Sequence, residues 1–537
     1  MPTEWPSSTP RTAEASDSNS FGLSSAHLVG ICGAGMKALA ELLEELGWRL
    51  SGSDQSPANA SVERLISRGM SFHCGHAAKQ VPPHVECLVY SPAIPPENGE
   101  RVEAARRGIP QWSYSQMVGR LMRARTGVCI AGTHGKSTTT AMVGWVLTHA
   151  GREPSVLVGA ELGGGLRSEL PVGQAVPDRR QSEPLGQAQP DLRLRRESLL
   201  TLARSSEDGV EWIAGKARLP ILTQHGRSGW AGAGQLFVVE SCEFDRSFLD
   251  LLPRYAAILS VEPDHFDCFA DLPSLVQAFG EFAQRVSSDG VLLVRGDCIA
   301  AVECARDATG RVVAFGVGSN CEWQADAIHH AANGVQFRVL RRGQAWGDVQ
   351  LPLHGDHNVL NALAVAALCT EIGLSAEEVI AGLRSFPGIR RRFEVIGEWN
   401  GITLVSDYAH HPTAVAATLK TAREVFGTRR IWCAFQPHQV SRTLALLDEF
   451  SGSFVDADEV LVSPAFAARE RVTDEPILAS QELVRQIASR GVAARFVESL
   501  DQIKTTLDDA ARPGDVLILM GAGDIERIPH ELTRPVC

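Results

Sequence analysis

The 537-residue chain lacks any apolar run close to the roughly 20 residues that a bilayer-spanning helix needs, so no membrane insertion is expected. Its opening stretch, MPTEWPSSTPRTAEASDSNS, is polar and lacks the apolar centre of a secretory signal. Residues 1–21 are therefore predicted to be a disordered tail, and the protein is expected to be cytoplasmic.

Positive charge is also scarce, since 51 Lys and Arg stand against 63 Asp and Glu for a formal net charge of −12. This balance argues against a nucleic-acid partner, although a local basic patch around an anionic ligand stays compatible with it. The 12 cysteines show no Cys-x-x-Cys spacing, and several, such as Cys129 and Cys369, lie in apolar runs. They are predicted to be reduced packing residues.

Apolar periodicity predicts an α/β protein built on parallel sheets. A strand at His27–Cys32, a helix closed by Gly47 and a strand ending at Asp54 form a β-α-β unit. Similar alternation of strands and helices starts again near Gly127 and near Phe393. The chain length is compatible with three or four domains.

Between these units, a stretch rich in Arg, Gln, Pro and Ser runs from about residue 166 to about residue 231. Such a composition predicts an insertion of weak order. By contrast, the run DHNVLNALAVAALCTEIG is apolar on nearly every side and predicts a buried helix.

The stretch VCIAGTHGKSTTTAM predicts a phosphate-binding loop between a strand and a helix. Gly132 and Gly135 let backbone N–H groups approach an anion, and the helix start adds its dipole. Lys136 and Ser137 suit a phosphate and a Mg²⁺ ion respectively. The loop is shorter than the usual one, in which four residues separate the first glycine from Gly-Lys-Ser/Thr. An ordinary tight turn is the alternative.

The first β-α-β unit raises a rival hypothesis, a dinucleotide site. Gly30 and Gly35 fit the outer glycines of G-x-G-x-x-G, and Asp54 lies where a ribose-binding acid is expected. However, Cys32 takes the middle glycine position, where a side chain obstructs the pyrophosphate.

Polar residues also follow the apolar cores of later strands. Glu240 and His265 could meet at a metal ion beside the phosphates, or they could form an ordinary ion pair and a loop histidine. The motifs DYAHHPT and FQPHQVSRT suit an anionic substrate and an oriented nucleophile. Their alternative is a helix cap with solvated histidines.

Together these motifs resemble the Mur ligase family from His27 to about Ile525, apart from the insertion. The resemblance is carried by the number, order and spacing of HLVGICGAGM, SGSD, AGTHGKSTTT, VVESCEFDRSFL, VEPDHFDCF, GDHNVLNALAVAA, SDYAHHPT, FQPHQVSRT and MGAGDI. The short Gly-Thr-x-Gly-Lys-Ser/Thr form is that family's ATP loop, and Gly132 to Ser137 match it directly.

The resemblance implies three domains: a Rossmann-like domain for the UDP moiety (22–125), a central ATP-binding domain (126–392) and a Rossmann-like domain for the amino acid (393–537). It is closest to the branch that joins L-alanine to UDP-N-acetylmuramate in peptidoglycan precursor synthesis. The implied reaction uses ATP and Mg²⁺ and passes through an acyl phosphate. A monomer or weak homodimer is expected.

The resemblance also implies roles for individual residues. It assigns ATP contacts to Gly132, Thr133, His134, Gly135, Lys136, Ser137, Thr138, Asn358, Asn361, Arg392 and Asp407. It assigns substrate contacts to Gly33, Ala34, Gly35, Ser53, Asp54, Ser91, Tyr408 and Arg442. It assigns metal binding to Ser137, Glu240 and His265, and catalytic roles to Lys136, Glu240, His265 and His410.

The chain departs from the family pattern in several motifs. Cys32 replaces a glycine, Cys242 an aspartate, Ser260 an asparagine and Gln439 an arginine. Losing that last guanidinium removes a bidentate contact to a carboxylate or phosphate. Three alternatives therefore stay open: a recycling ligase that attaches a murein tripeptide, a nicotinamide-dependent oxidoreductase, and a non-catalytic relative.

Overall fold

The computed structural model describes residues 23–163, 226–468, 470 and 475–532. The predicted tail at 1–21 and most of the predicted insertion lie outside these residues. Within the described part of the chain, no helix is long and apolar enough to cross a membrane.

The first sheet has five parallel strands in the order β3-β2-β1-β4-β5. Its strands are β1 Ser25–Val29, β2 Arg49–Asp54, β3 Ser71–Cys74, β4 Cys87–Tyr90 and β5 Gln111–Ser113. Its helices are α1 Ala34–Glu45, α2 Ala60–Ser67, α3 Gly99–Arg106 and α4 Tyr114–Met122. The predicted β-α-β start is confirmed, but β1 ends at Val29, three residues before Cys32.

The second sheet has ten strands in the order β15-β14-β13-β12-β11-β10-β6-β9-β7-β8. Its strands are β6 Thr126–Ala131, β7 Ser155–Leu157, β8 Gly229–Trp230, β9 Leu236–Glu240, β10 Pro253–Ile258, β11 Val291–Arg295, β12 Arg311–Gly316, β13 Trp323–Ala331, β14 Gly334–Arg341 and β15 Gln344–Leu351. Its helices are α5 Lys136–His149, α6 Leu272–Gln284, α7 Ile299–Cys304, α8 Asp356–Ile372 and α9 Ala376–Arg384.

Two features of this sheet add to the sequence-based picture, and a third confirms it. β13, β14 and β15 extend it with antiparallel pairs, which alternating strands and helices did not predict. β8 pairs with β7, so the last residues of the stretch that is expected to be an insertion belong to the sheet. The predicted buried helix is confirmed as α8, in which Leu363, Val365 and Leu368 are completely buried.

The third sheet has six strands in the order β16-β17-β21-β18-β19-β20, parallel except where β16 pairs with β17. Its strands are β16 Glu394–Trp399, β17 Ile402–Asp407, β18 Ile431–Gln436, β19 Glu459–Val462, β20 Ala493–Phe496 and β21 Val516–Gly521. Its helices are α10 Pro412–Phe426, α11 Val440–Ala445, α12 Leu447–Gly452, α13 Glu475–Ser489, α14 Leu500–Ala510 and α15 Ile528–Leu532. The run SRTLALLDEFSGSF forms two short helices, α11 and α12, which are separated at Leu446.

Polar motifs come together because parallel strands end at one edge of a sheet. β6 lies between β9 and β10, so Glu240 and the residues after Ile258 flank the loop that follows Ala131. In open α/β sheets this carboxyl edge is where ligands bind. The packing of α5 against α8 brings the start of α8 to the same place.

Candidate active site

The loop between β6 and α5 has the backbone of an anion-binding turn. Gly132 and Gly135 adopt positive φ angles of 134° and 80°, which side chains rarely tolerate. A Cβ atom at Gly132 would come within 2.9 Å of the backbone nitrogens of Leu259 and Ser260. Both glycines are therefore required by the conformation, and the N–H groups at the start of α5 are left for a ligand.

Lys136, the first residue of α5, is held by a carboxylate that the sequence analysis did not single out. Its Nζ lies 2.8 and 3.0 Å from the two carboxylate oxygens of Glu243, and it donates to the Gly132 carbonyl at 2.6 Å. Burial favours the neutral amine, but Glu243 outweighs it and raises the pKa of Lys136. The ammonium is thus charged, and its contacts with Glu243 and the Gly132 carbonyl hold it beside the loop.

Glu243 is completely buried and stays ionised. Burial would raise the pKa of its carboxyl, but Lys136 and then His265 lower it to about 2. Glu243 lies three residues after Glu240, so the run ESCE contained the signal, but only the sheet order shows that the second acid reaches Lys136.

The predicted metal ligands Ser137 and Glu240 are neighbours. The Ser137 hydroxyl donates to Glu240 Oε1 at 2.8 Å, and the Gly159 N–H donates to Glu240 Oε2 at 2.5 Å. The backbone contact holds the carboxylate beside the start of α5, so a hydroxyl and a carboxylate oxygen share one side of the phosphate loop.

His265 is placed on the Glu243 side of the loop. Its Nε2 lies 3.6 Å from Glu243 Oε1 and 4.0 Å from Asp264 Oδ2, and its φ is positive at 53°. Ligand-capable atoms of Cys242, Glu243 and His265 lie within 4.8 Å of one another. His265 is therefore grouped with Glu243 and Cys242, a grouping that the sequence did not predict.

Arg442 lies buried against the central sheet. Its Nε donates to Asp264 Oδ1 at 2.7 Å, and a terminal nitrogen donates to the His438 carbonyl at 3.1 Å. Asp264 is itself buried, but the Arg442 guanidinium and then His265 hold its pKa far below the usual range. The predicted amino-acid contact of Arg442 stays a prediction, since its guanidinium is engaged by Asp264.

Asp407, at the end of β17, organises the backbone of the third sheet. Its two carboxylate oxygens accept the N–H groups of Phe393 and Ala409, each at 2.7 Å. Burial raises the pKa of Asp407, although Arg392 opposes that shift. The guanidinium of Arg392 lies 5.3 Å from the ring centre of Tyr408.

His410 lies half-buried beside the same strand end. Burial, and then the nearby Arg442 guanidinium, lower its pKa well below the usual range, so the imidazole is neutral. Its Nδ1 lies 2.8 Å from the Tyr408 carbonyl, which can only accept. Nδ1 therefore carries the proton, and Nε2 keeps a lone pair.

Asn358 and Asn361 lie in the first turns of α8 next to the phosphate loop. Asn358 donates to the His354 carbonyl at 2.8 Å, and Asn361 donates to Asn358 Oδ1 at 3.2 Å. A Cβ atom at Gly135 would collide with Asn361 Oδ1. Their predicted adenine contact is untested, but their place beside the loop is established.

A cavity of about 200 Å³ opens between the first sheet's loop and the central sheet. Its lining includes four predicted substrate contacts and a predicted metal ligand, namely Gly33, Ala34, Gly35, Ser91 and Glu240. The first-domain loop and Glu240, which lies beside the phosphate loop, therefore line one cavity.

Ser53 and Asp54 have structural partners. Ser53 is completely buried and donates to Glu100 Oε2 at 2.6 Å. Asp54 accepts the N–H groups of Cys32 at 2.8 Å and Ser56 at 2.9 Å. Asp54 thereby shapes the glycine loop itself, which removes the support for it as a free ribose-binding acid of a dinucleotide site.

Gln439, which replaces an arginine of the family pattern, starts α11 with a positive φ of 67°. It is almost completely buried, and its N–H donates to the Phe466 carbonyl at 2.9 Å. Among the described residues its side-chain Nε2 has no hydrogen-bond partner. The replacement therefore sits inside the third sheet's loop region with an unsatisfied amide.

A phosphate loop, a second glycine loop and a shared cavity define a nucleotide-binding α/β protein of three sheets. Comparison with known families then identifies it. Residues 25–126 match the Mur ligase family catalytic domain, residues 232–369 match the Mur ligase middle domain, and residues 391–523 match the Mur ligase glutamate ligase domain. The chain belongs to the Mur ligase family, as the sequence predicted.

Individual relatives agree with this assignment. The chain is 35% identical over 511 residues to a UDP-N-acetylmuramate–L-alanine ligase of Desulfitobacterium hafniense, covering 94% of this chain and 98% of that protein. A crystal structure of the UDP-N-acetylmuramate–alanine ligase of Thermotoga maritima matches with a TM-score of 0.71 at 23% identity, covering 95% and 98% of the two chains. A murein peptide ligase of Psychrobacter arcticus matches with a TM-score of 0.67 at 24% identity and the same coverage.

These matches confirm the α/β three-domain fold, the ligase class and the dependence on ATP that the resemblance implied. The oxidoreductase alternative finds no support in them. The two structural likenesses concern the fold alone, so they do not separate the two ligase activities.

Proposed function

We propose that the protein joins L-alanine to UDP-N-acetylmuramate at the expense of ATP. The observation that carries this proposal is the cavity lined by the Gly33–Gly35 loop together with Glu240, whose other neighbour is Ser137 of the phosphate loop. A carboxylate delivered from the first domain would thus meet the γ-phosphate of ATP. The name of the relative from Desulfitobacterium hafniense supports the same reaction.

In the proposed reaction, the lactyl carboxylate of UDP-N-acetylmuramate attacks the γ-phosphorus of ATP and ADP leaves, giving an acyl phosphate. The amine of L-alanine then attacks that carbonyl, and phosphate leaves as the amide forms. Two anions must approach each other in the first step, so a cation is needed between them. We propose that the Lys136 ammonium leaves the Glu243 carboxylate when ATP binds and then neutralises the phosphate oxygens.

The residues beside the phosphate loop fit Mg²⁺, which prefers oxygen ligands. Ser137 Oγ and Glu240 Oε1 lie 2.8 Å apart and would together hold the ion. When bound, the ion would screen the phosphate charges. His265, grouped with Glu243, is proposed to contribute at a second metal position.

On the third-domain side, His410 is proposed to accept a proton from the L-alanine amine. Its imidazole is neutral, and because Nδ1 donates to the Tyr408 carbonyl, Nε2 keeps the lone pair that can accept a proton. The amino acid is proposed to lie beside Tyr408 and Arg442, and the adenine beside Asn358 and Asn361.

We propose a cytoplasmic enzyme of three domains, which span residues 22–125, 126–392 and 393–537.

The second candidate is the recycling ligase that attaches a murein tripeptide, because Gln439 replaces an arginine of the family pattern and removes a guanidinium that would suit the carboxylate of a single amino acid. Purified protein incubated with UDP-N-acetylmuramate, ATP and Mg²⁺ separates the two. We expect phosphate release with L-alanine and none above background with tripeptide. Release with tripeptide alone would overturn the proposal, and omission of Mg²⁺ tests the metal.

A further inference from the structure

Glu262, which follows β10, contacts both the phosphate loop and the helix α10 that follows β17. Its backbone N–H donates to Thr133 Oγ1 at 2.9 Å, and the Thr133 hydroxyl donates to the Glu262 carbonyl at 3.2 Å. Its carboxylate oxygen Oε2 lies 3.3 Å from His134 Nε2. Backbone and side chain of one residue therefore hold two consecutive residues of the loop.

The same carboxylate oxygen reaches α10. The Thr413 hydroxyl in the first turn of α10 donates to Glu262 Oε2 at 2.6 Å. A carboxylate is favoured at a helix N-terminus, where the unpaired N–H groups carry partial positive charge. Glu262 thus links the loop that follows β6 to the helix that follows β17, across more than 100 residues of sequence.

His411, the residue that caps α10, lies against the same junction. Its Nε2 lies 3.2 Å from the Pro263 carbonyl, which can only accept, so Nε2 carries the proton. Its Nδ1 accepts the Thr413 N–H at 3.4 Å, and its ring centre lies 4.6 Å from that of His134. The junction is polar, pre-formed and satisfied by its own side chains.

We propose that Glu262 is a positioning residue that couples the geometry of the phosphate loop to the placement of the third domain. The idea rests on the proposed function, because it assigns ATP to one side of Glu262 and the amino acid to the other. Glu262 contacts the third domain through Thr413, and it contacts the phosphate loop through Thr133 and His134. Loss of the carboxylate should therefore weaken the use of both substrates together.

The test measures the KM values for ATP and L-alanine, kcat, and binding of a fluorescent ATP analogue to the free enzyme. Glu262→Ala is expected to raise both KM values by about tenfold and to weaken binding of the ATP analogue by a similar factor. Thr413→Val removes only the third-domain contact, so both KM values should rise about threefold while analogue binding stays within about twofold. Glu262→Gln keeps an acceptor oxygen and should fall between wild type and Glu262→Ala.

Two comparisons decide the outcome. The double variant with Glu262→Ala and Thr413→Val should be no worse than Glu262→Ala alone, since both act through one contact. Lys420→Met breaks a different link between α10 and α8, the 2.7 Å contact of Lys420 Nζ with Asp356, and should leave every constant within about twofold. Multiplying effects in the double variant, or a Lys420→Met effect equal to that of Thr413→Val, would overturn the coupling.

Thermal melting of each variant checks that it folds. If wild type releases no phosphate with L-alanine, the proposed function fails. Analogue binding still tests Glu262 in that case, because Glu262→Ala should bind more weakly than Thr413→Val. If wild type is active and the variants Glu262→Ala, Glu262→Gln and Thr413→Val all match it, only the coupling fails.

Discussion

Two loops of this molecule are built on the same plan and carry different chemistry. The loop after β1 and the loop after β6 both leave a buried strand, turn on glycines and enter a helix. The first contains no charged residue from Gly30 to Gly35, and Asp54 binds the Cys32 N–H from outside. The second leads into Lys136 and is surrounded by Glu240, Glu243 and Glu262.

The difference shows what topology supplies and what it leaves to side chains. Strand-loop-helix geometry places N–H groups at a helix start, which suits an anion of any kind. A triphosphate and its metal also need a cation and oxygen ligands, and only the second loop has them. The charges must in turn be balanced while the site is empty, which explains the buried carboxylate of Glu243 beside Lys136.

The largest expected effect is that of removing the charge from the second loop. Lys136→Ala should lower turnover by on the order of 10³-fold, because it removes the ammonium that is proposed to neutralise the phosphate oxygens. The matched control is Lys37→Ala in α1, whose ammonium lies 3.8 Å from Glu161 and is expected to matter little. Phosphate release measures both. Unaltered activity of Lys136→Ala would contradict its assigned role.

The next largest effect is expected from replacing the glycine before each helix, Gly135 before α5 and Gly33 before α1, by alanine. Gly135→Ala meets a φ of 80° and the Asn361 side chain, so it should cost about 1–3 kcal/mol of stability and abolish binding of the ATP analogue. Gly33 has an ordinary φ of −63°, and Gly33→Ala should stay within about 0.5 kcal/mol. Urea unfolding gives both values, and equal losses would show that the two loops are under the same constraint.

A smaller effect is expected in the pH dependence of stability. The Glu262 carboxyl is partly buried, which raises its pKa, but His134 and then Thr413 lower it from 4.5 to about 2. A lowered pKa contributes stability above about pH 4.5 that is lost as the pH falls toward about 2. From about pH 6 to about pH 3.5, wild type should lose roughly 1 kcal/mol more than Glu262→Gln. Parallel urea-unfolding profiles would contradict this.

The smallest effect is expected in the uncharged loop. Cys32→Gly restores the family's glycine and keeps the N–H that Asp54 accepts, so stability should change by less than about 0.5 kcal/mol. The KM for UDP-N-acetylmuramate should change by less than about threefold. Asp54→Ala, which removes the acceptor, should cost about 1 kcal/mol of stability. A KM for UDP-N-acetylmuramate that rises more than about threefold in Cys32→Gly would show that the thiol contacts the substrate.

Local features of this protein were readable from its sequence. The residues Gly132, Gly135, Lys136 and Ser137 between a strand and a helix predicted a phosphate-binding loop, and the apolar run after Asp356 predicted α8. The motif series predicted the family, which the comparisons confirm. Each of these signals depends on backbone conformation or periodicity within a short window of residues, so neighbours in sequence are enough to encode it.

Only the tertiary structure decided which charges meet. Glu243 binds Lys136 from 107 residues away, and Glu262 reaches Thr413 from 151 residues away. Asp54 was expected at a ligand, and it is engaged by the loop backbone. The antiparallel β13–β15 extension also escaped prediction, because its strand pairing is not a property of any single strand. Sheet order determines such partners, since it sets which strand ends lie side by side, and the neighbouring cations then decide which buried carboxylates keep their charge.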